Sequence, residues 1–276
     1  MESYDELIAS KITRVSESGF DINPDQLNQN LFPFQRHIVQ KALKAGRYAI
    51  FADCGLGKTL MQLCFAEEVV KFTSRPVVIL TPLAVAAQTL NEARKFQVEG
   101  VVRWMPEMAQ NAYLPDVIYV AHYEQLDSLP VDEFVGVILD ESSILKNFTG
   151  ATKRAILEAF SDTPYKLACT ATPSPNDLNE IGNHSEFLNV LDAQDMRAKW
   201  FVRDEGMNNY RLQCGRAVGT SSIYPFVLSE IQVRFPLSSG YQYGQVYFLA
   251  INRSLRPAHK LSANAGIIGV DVDQLQ

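Results

Sequence analysis

The chain has 276 residues, 47% of them hydrophobic and 20% charged, which is the ordinary soluble range and long enough for one large α/β domain or two small ones. Its formal charge of −6 gives no global attraction to a polyanion, so any nucleic acid would be held by a local groove of basic and backbone groups. Four cysteines, Cys54, Cys64, Cys169 and Cys214, lie far apart with no paired spacing, which argues against a disulfide framework or a zinc site. The longest apolar runs are strand-sized, short of the roughly 20 residues that cross a bilayer, so no membrane partner is expected.

The acidic start, Met1-Glu2-Ser3-Tyr4-Asp5-Glu6, lacks the basic and apolar stretches of a secretory signal. Cytoplasmic residence is therefore the default, and the sequons at Asn147, Asn183 and Asn252 read as chance matches. Residues 1–30 are a polar extension, with a short helix expected over 4–15 and a connector after it.

From residue 48 to about residue 191, short apolar runs alternate with longer segments of helical period. The pattern predicts strands over 48–52, 77–81, 117–121, 136–140 and 165–170. Helices are expected over 59–72, 83–96, 152–160 and 176–191. This is an α/β core with a doubly wound, mostly parallel sheet, and such sheets bind ligands outside the carboxyl ends of their strands. Apart from one segment ahead of the first strand, the motifs described below begin where one of these strands ends. Past about Thr220 charges thin out while Ser, Gly and aromatics gather. Gly240-Tyr241-Gln242-Tyr243-Gly244 followed by residues 245–251 predicts a turn and a strand, and residues 216–276 are expected to form a short, irregular tail.

The first motif is Gly55-Leu56-Gly57-Lys58-Thr59, set between the first predicted strand and helix. Gly55 and Gly57 let the backbone, Leu56 included, curl so that N–H groups point at phosphate oxygens, and the following helix adds its positive end. Lys58 would reach the β and γ phosphates and the Thr59 hydroxyl would ligate Mg²⁺. The first glycine of the consensus falls on Ala52, so the loop must begin in a conformation open to a residue with a Cβ.

The run 135–139 delivers Asp140-Glu141 at a strand end. Alone, the pair reads more readily as a solvated strand terminus. With a phosphate loop some eighty residues upstream, it suits ATP hydrolysis: Asp140 for Mg²⁺, Glu141 for polarising the attacking water.

With these and further motifs in order, residues 31–215 resemble the first motor lobe of superfamily two helicases and translocases, in the Swi/Snf-like branch and its phage relatives. The resemblance implies a RecA-like P-loop NTPase lobe that uses ATP and Mg²⁺, with Lys58, Asp140 and Glu141 as catalytic residues. It implies that Phe34-Gln35-Arg36 is the adenine-recognition segment, with Gln35 and Arg36 at the nucleotide, since a glutamine amide offers both donor and acceptor. Thr81, Pro82 and Gln88, and then Tyr123, fall in segments implied to touch nucleic acid. His122 stands where an asparagine is common, and no partner at ligand spacing makes it a metal site. Asp140-Glu141-Ser142-Ser143 through Lys146-Asn147 matches the acidic motif. Thr170 and Thr172, in Thr170-Ala171-Thr172-Pro173, are implied to couple hydrolysis to movement.

Motors of this class close a second lobe over ATP and draw arginines from it. About sixty residues follow Gly215, whereas another lobe needs on the order of 150, and Arg253 and Arg256 lie in no matching motif. The tail reads either as a divergent extension or as the remainder of a frameshifted gene. Two functions stay open: a Mg²⁺-dependent ATPase of a DNA helicase or translocase, stimulated by nucleic acid and completed by a second lobe from another chain, or a hydrolysis-impaired ATP- or DNA-binding module. The expected partner is nucleic acid, DNA first, in a bacterial or phage-infected cell.

Overall fold

A computed structural model describes residues 18–110, 114–146, 150–173, 180–203, 210–212, 227–237 and 240–250. Its centre is a sheet of six parallel strands in the order β3-β4-β2-β5-β6-β1. These are β1 (Arg47–Ala52), β2 (Val77–Thr81), β3 (Val101–Arg103), β4 (Ile118–His122), β5 (Gly136–Asp140) and β6 (Tyr165–Thr170). Five of the six match the expected strands within a residue. Only β3 was not foreseen, because three half-buried or exposed residues at a sheet edge carry no readable period.

The inner strands are buried along nearly their whole length, with apolar residues between their ends, because both faces are covered, as a parallel sheet requires. Alternate residues enter different cores. Ile50, Ile79, Ile138 and Leu167 pack with helix α1 (Pro33–Ala45) and helix α2 (Lys58–Thr73). Phe51, Leu80, Leu139 and Ala168 pack on the other side with Ile156 of α4 (Ala151–Ala159) and Phe187 of α5 (Ile181–Phe187). Helix α3 (Leu83–Lys95) covers the first face through Ala93, and α6 (Ala193–Trp200) adds Met196 to the second core.

Helix α1 opens on Pro33 at its first turn and ends at Gly46, whose φ of 74° supplies the left-handed stop. Helix α2 is different: from Leu60 to Ala66 every residue is buried, so it runs as an apolar rod rather than an amphipathic surface helix. Of the helix expected over 176–191, Ile181–Phe187 is helical, and residues 174–179 lie outside the described residues, as does the helix expected over 4–15.

The tail departs from the irregular expectation. Strands β9 (Val227–Leu237) and β10 (Gly240–Ala250) form an antiparallel ribbon, and β10 pairs antiparallel with β1. The expected turn at 240–244 is strand instead, since Gly240 already pairs with Leu237. A smaller pair, β7 (Phe201–Arg203) and β8 (Tyr210–Leu212), follows α6. Among the described residues no helix is long and apolar enough to cross a membrane.

Candidate nucleotide site

Because β4, β2, β5, β6 and β1 are parallel and adjacent, their last residues His122, Thr81, Asp140, Thr170 and Ala52 line one edge of the sheet. At one end of this row lies the phosphate loop. Ala52 is the final residue of β1, so it sits in extended backbone that any residue adopts and the missing consensus glycine costs nothing. Gly55 and Gly57 carry the positive φ values, 84° and 72°, that the loop needs. A Cβ on Gly55 would meet no atom within 4 Å, which leaves the mouth of the loop open.

Helix α2 starts at Lys58, so its first-turn N–H groups lack helical partners and face the loop. The Lys58 ammonium donates to the carbonyls of Ala52 at 2.8 Å and Asp53 at 3.2 Å. It thus rests across the loop, with a third N–H to spare. Beneath the loop, Gln35 is buried: its Nε2 donates to the Leu56 carbonyl at 2.8 Å, and its Oε1 accepts from the Phe32 N–H at 2.9 Å. The residue expected to read adenine is therefore also a strut between α1 and the loop. Arg36 lies beside it on α1 and donates to Gln29, through both its carbonyl and its side-chain oxygen.

The acidic pair forms the other half. Asp140 is only 5% exposed. Its Oδ1 accepts from Gln62 Nε2 at 2.7 Å and its Oδ2 from the Thr81 hydroxyl at 3.3 Å. Both donors are neutral, and among the described residues no cation pairs with the carboxylate. A buried charge of this kind calls for a compensating ion. Asp140 and the half-buried Thr59 are the groups that would hold Mg²⁺, an ion usually bound through one or two carboxylates plus substrate phosphates. The chemistry fits.

Glu141 has left-handed backbone, φ 52°, unusual for a residue with a long side chain. Its Oε2 accepts from the Thr170 hydroxyl at 3.3 Å, and Thr170 Oγ1 in turn accepts from the Thr172 N–H at 3.1 Å. The threonine motif is thereby joined to the acidic pair through Thr170, while the Thr172 side chain is exposed. Behind the pair, Ser142 Oγ lies 3.1 Å from His184 Nε2, both fully buried. Burial pushes His184 down to about 4, so the imidazole is neutral. Lys153 donates to Asn183 and Glu186, and Asn183 donates to the carbonyls of Leu145 and Lys146, fastening the segment after the acidic pair to α5.

Two residues expected at nucleic acid point inward instead. Thr81 is fully buried on Asp140. Tyr123, also buried, donates to the Asp140 carbonyl at 2.7 Å. Both follow from the sheet: β2 ends beside β5, so Thr81 meets Asp140 directly, and Tyr123, in the turn after β4, reaches past the end of β2 to the same residue. Pro82 is half-buried, and Gln88 is exposed on α3 with an internal bond to Glu92. His122 faces Glu124, Nδ1 to Oε2 3.1 Å. Sequence reasoning missed Gln62, although a lone amide inside the apolar run Leu60–Phe65 was a visible signal.

Fold and site together define a helicase-type ATP-binding lobe of RecA-like architecture. The chain belongs to the family described as type III restriction enzyme, res subunit (ResIII), which residues 28–175 match. It is 27% identical over 256 aligned positions to a SWI/SNF-related matrix-associated actin-dependent regulator of chromatin subfamily A-like protein 1 from Xenopus tropicalis, covering 83% of this chain and 26% of that protein. It is 28% identical over 199 positions to putative protein p41 of Acyrthosiphon pisum secondary endosymbiont phage 1, covering 62% of this chain and 43% of that one. Among solved structures it resembles the Sulfolobus solfataricus SWI2/SNF2 ATPase core in complex with double-stranded DNA, with a TM-score of 0.56, 22% identity, and coverage of 65% of this chain and 40% of that one. The chain thus spans about a quarter of the length of the animal relative.

Proposed function

We propose that the chain is the ATP-binding motor lobe of a DNA helicase or translocase, with the lobe over residues 31–215, and that it hydrolyses ATP with Mg²⁺ when nucleic acid is bound. The observation that carries this is the joining of Glu141 to Thr170 beside a buried, neutrally solvated Asp140 on the sheet edge that also bears the phosphate loop. When bound, Mg²⁺ would neutralise charge on the β and γ phosphates.

The chain's own groups do the rest. Phosphate competes with the Ala52 and Asp53 carbonyls for the Lys58 ammonium and draws it off the loop. The loop N–H groups and the α2 terminus take the remaining phosphate charge. Glu141 accepts a hydrogen bond from the attacking water and aligns it, and Thr170, on the same carboxylate, registers the loss of the γ phosphate and passes it to the chain beyond β6. Gln35, already fixed to the loop through one N–H, keeps a second N–H for an adenine edge. On this reading Pro82, half-buried, and Gln88, exposed, are the groups that would meet a nucleic-acid backbone. A second RecA-like lobe, in the complete motor or from another chain, would supply an arginine, typically worth about 10³ to 10⁵ in rate.

Phosphate release with and without double-stranded DNA tests this reading. Release is expected to rise with DNA and to fall by on the order of 10² or more in Lys58→Ala and Glu141→Gln. Only Lys58→Ala should also lose ATP binding. Release unchanged in both variants would refute the reading, and ATP binding without release under any condition would make the chain a nucleotide-responsive binding module.

A further inference from the structure

Gln62 lies one helical turn after Lys58, so the two share a face of α2. It is fully buried in an otherwise apolar stretch and meets Asp140 Oδ1 at 2.7 Å through its Nε2. Its Oε1, equally buried, has no hydrogen-bond partner among the described residues, and the buried Cys169 thiol lies against the same amide. An amide placed for packing alone would leave neither end unsatisfied, because a buried unpaired acceptor costs about 1 to 3 kcal/mol. A methionine would fill the same space without that cost. What the amide provides is its donation to Asp140.

Thr81 grips the other oxygen of the same carboxylate. Together the two donors fix the plane of the group and leave its charge intact, since neither is a cation. Each oxygen retains a second lone pair.

We propose that Gln62 is a positioning residue for the Asp140 carboxylate, holding it in the orientation that receives the divalent cation and tying that orientation to the first turn of the phosphate-binding helix. This rests on the ATP-site reading above. Because Lys58 and Gln62 ride on one turn of α2, a shift of that turn on phosphate binding moves the carboxylate's donor with it. Groups that orient a metal ligand typically change metal affinity 10- to 100-fold when removed.

The test is calorimetric titration of the full chain with a non-hydrolysable ATP analogue, first in EDTA and then at stepped Mg²⁺ concentrations. Gln62→Met removes the donor at similar volume, and Gln62→Asn keeps the amide but retracts it. Both variants should bind the analogue in EDTA as the parent does, while the Mg²⁺ concentration giving half of the metal-dependent gain in affinity rises on the order of tenfold. Circular dichroism checks the fold, and if the methionine variant does not fold the asparagine variant carries the test. An unchanged Mg²⁺ midpoint, or equal losses in EDTA and Mg²⁺, would overturn the proposal and leave Gln62 a packing residue. Absence of analogue binding by the parent chain under both conditions would instead overturn the ATP-site reading, and the proposal with it.

Discussion

In the phosphate loop, the working parts lie within residues 52–59: two glycines with positive φ, a lysine across the curl, and the start of a helix. Around Asp140 and Glu141 the parts come from α2, β2, the turn after β4, β5 and β6, brought together only because those strands end side by side. The first half is backbone chemistry, resting on the glycine conformations and on the carbonyls of Ala52 and Asp53. The second half is side-chain chemistry, and it depends on strand register. A residue's slip in β2 or β4 would turn Thr81 away, or carry Tyr123 off, and leave the carboxylate unheld.

The contrast is tested most strongly behind the acidic pair, at His184. Its folded-state value of about 4 lies below the ordinary 6.5, so the unfolded chain takes up the proton first. The stability from keeping it neutral is complete above pH 6.5 and is lost as pH falls toward about 4. The difference corresponds to about 3 kcal/mol. Urea unfolding of the parent and of His184→Gln should therefore show the gap between them narrowing by that order from pH 7 to pH 4. A gap that stays constant would mean that the imidazole is not held neutral against Ser142.

Gly57 probes the other half and should have a smaller effect. An alanine there would adopt φ 72° against its preference and place its Cβ 2.4 Å from Gln35 Nε2. The strain is about 1 to 2 kcal/mol, and the Gln35 bond to Leu56, worth about 1 kcal/mol, must give way. Gly57→Ala should lose about 2 kcal/mol of stability by urea denaturation and most of its ATP affinity. A variant that keeps both would show that the loop is less conformationally defined than its backbone implies. Gly57 is also where the loop ceases to be purely local, since the atom in the way belongs to α1.

These differences explain what could be read from sequence. The loop was legible because glycine, lysine and threonine at fixed spacing are its whole content, and the central strands were legible because a sheet covered on both faces writes unbroken apolar runs such as 136–139. The floor was half legible. Asp140, Glu141 and Thr170 stand at strand ends, but nothing in their spacing states that Gln62, distant in sequence, meets Asp140. The inward turn of Thr81 and Tyr123 was hidden for the same reason: a hydroxyl at a strand tip can face solvent or the neighbouring strand, and strand order decides which. The strand expected over 245–251 is the second half of β10, but its first half and its pairing with β9 were missed because glycine at 240 and 244 signals a turn, whereas here both positions lie within an antiparallel pairing.

The smallest effect separates the two roles open to Tyr123. Burial pushes its hydroxyl well above the ordinary tyrosine range, with Asp140 nearby adding to the shift, so it stays protonated and donates to the Asp140 carbonyl. That bond pins the peptide between Asp140 and Glu141, just ahead of the left-handed φ of 52° that points Glu141 at Thr170. In Tyr123→Phe the pin is gone at nearly constant volume. Stability should fall by about 1 kcal/mol, and phosphate release should fall further, by roughly tenfold, because the strained backbone at Glu141 is then free to relax. Affinity for DNA at fixed salt should not change, since the hydroxyl faces the protein interior. If DNA affinity falls while release per bound DNA is preserved, Tyr123 belongs to the nucleic-acid surface after all. The floor under Asp140 would then rest on Gln62 and Thr81 alone.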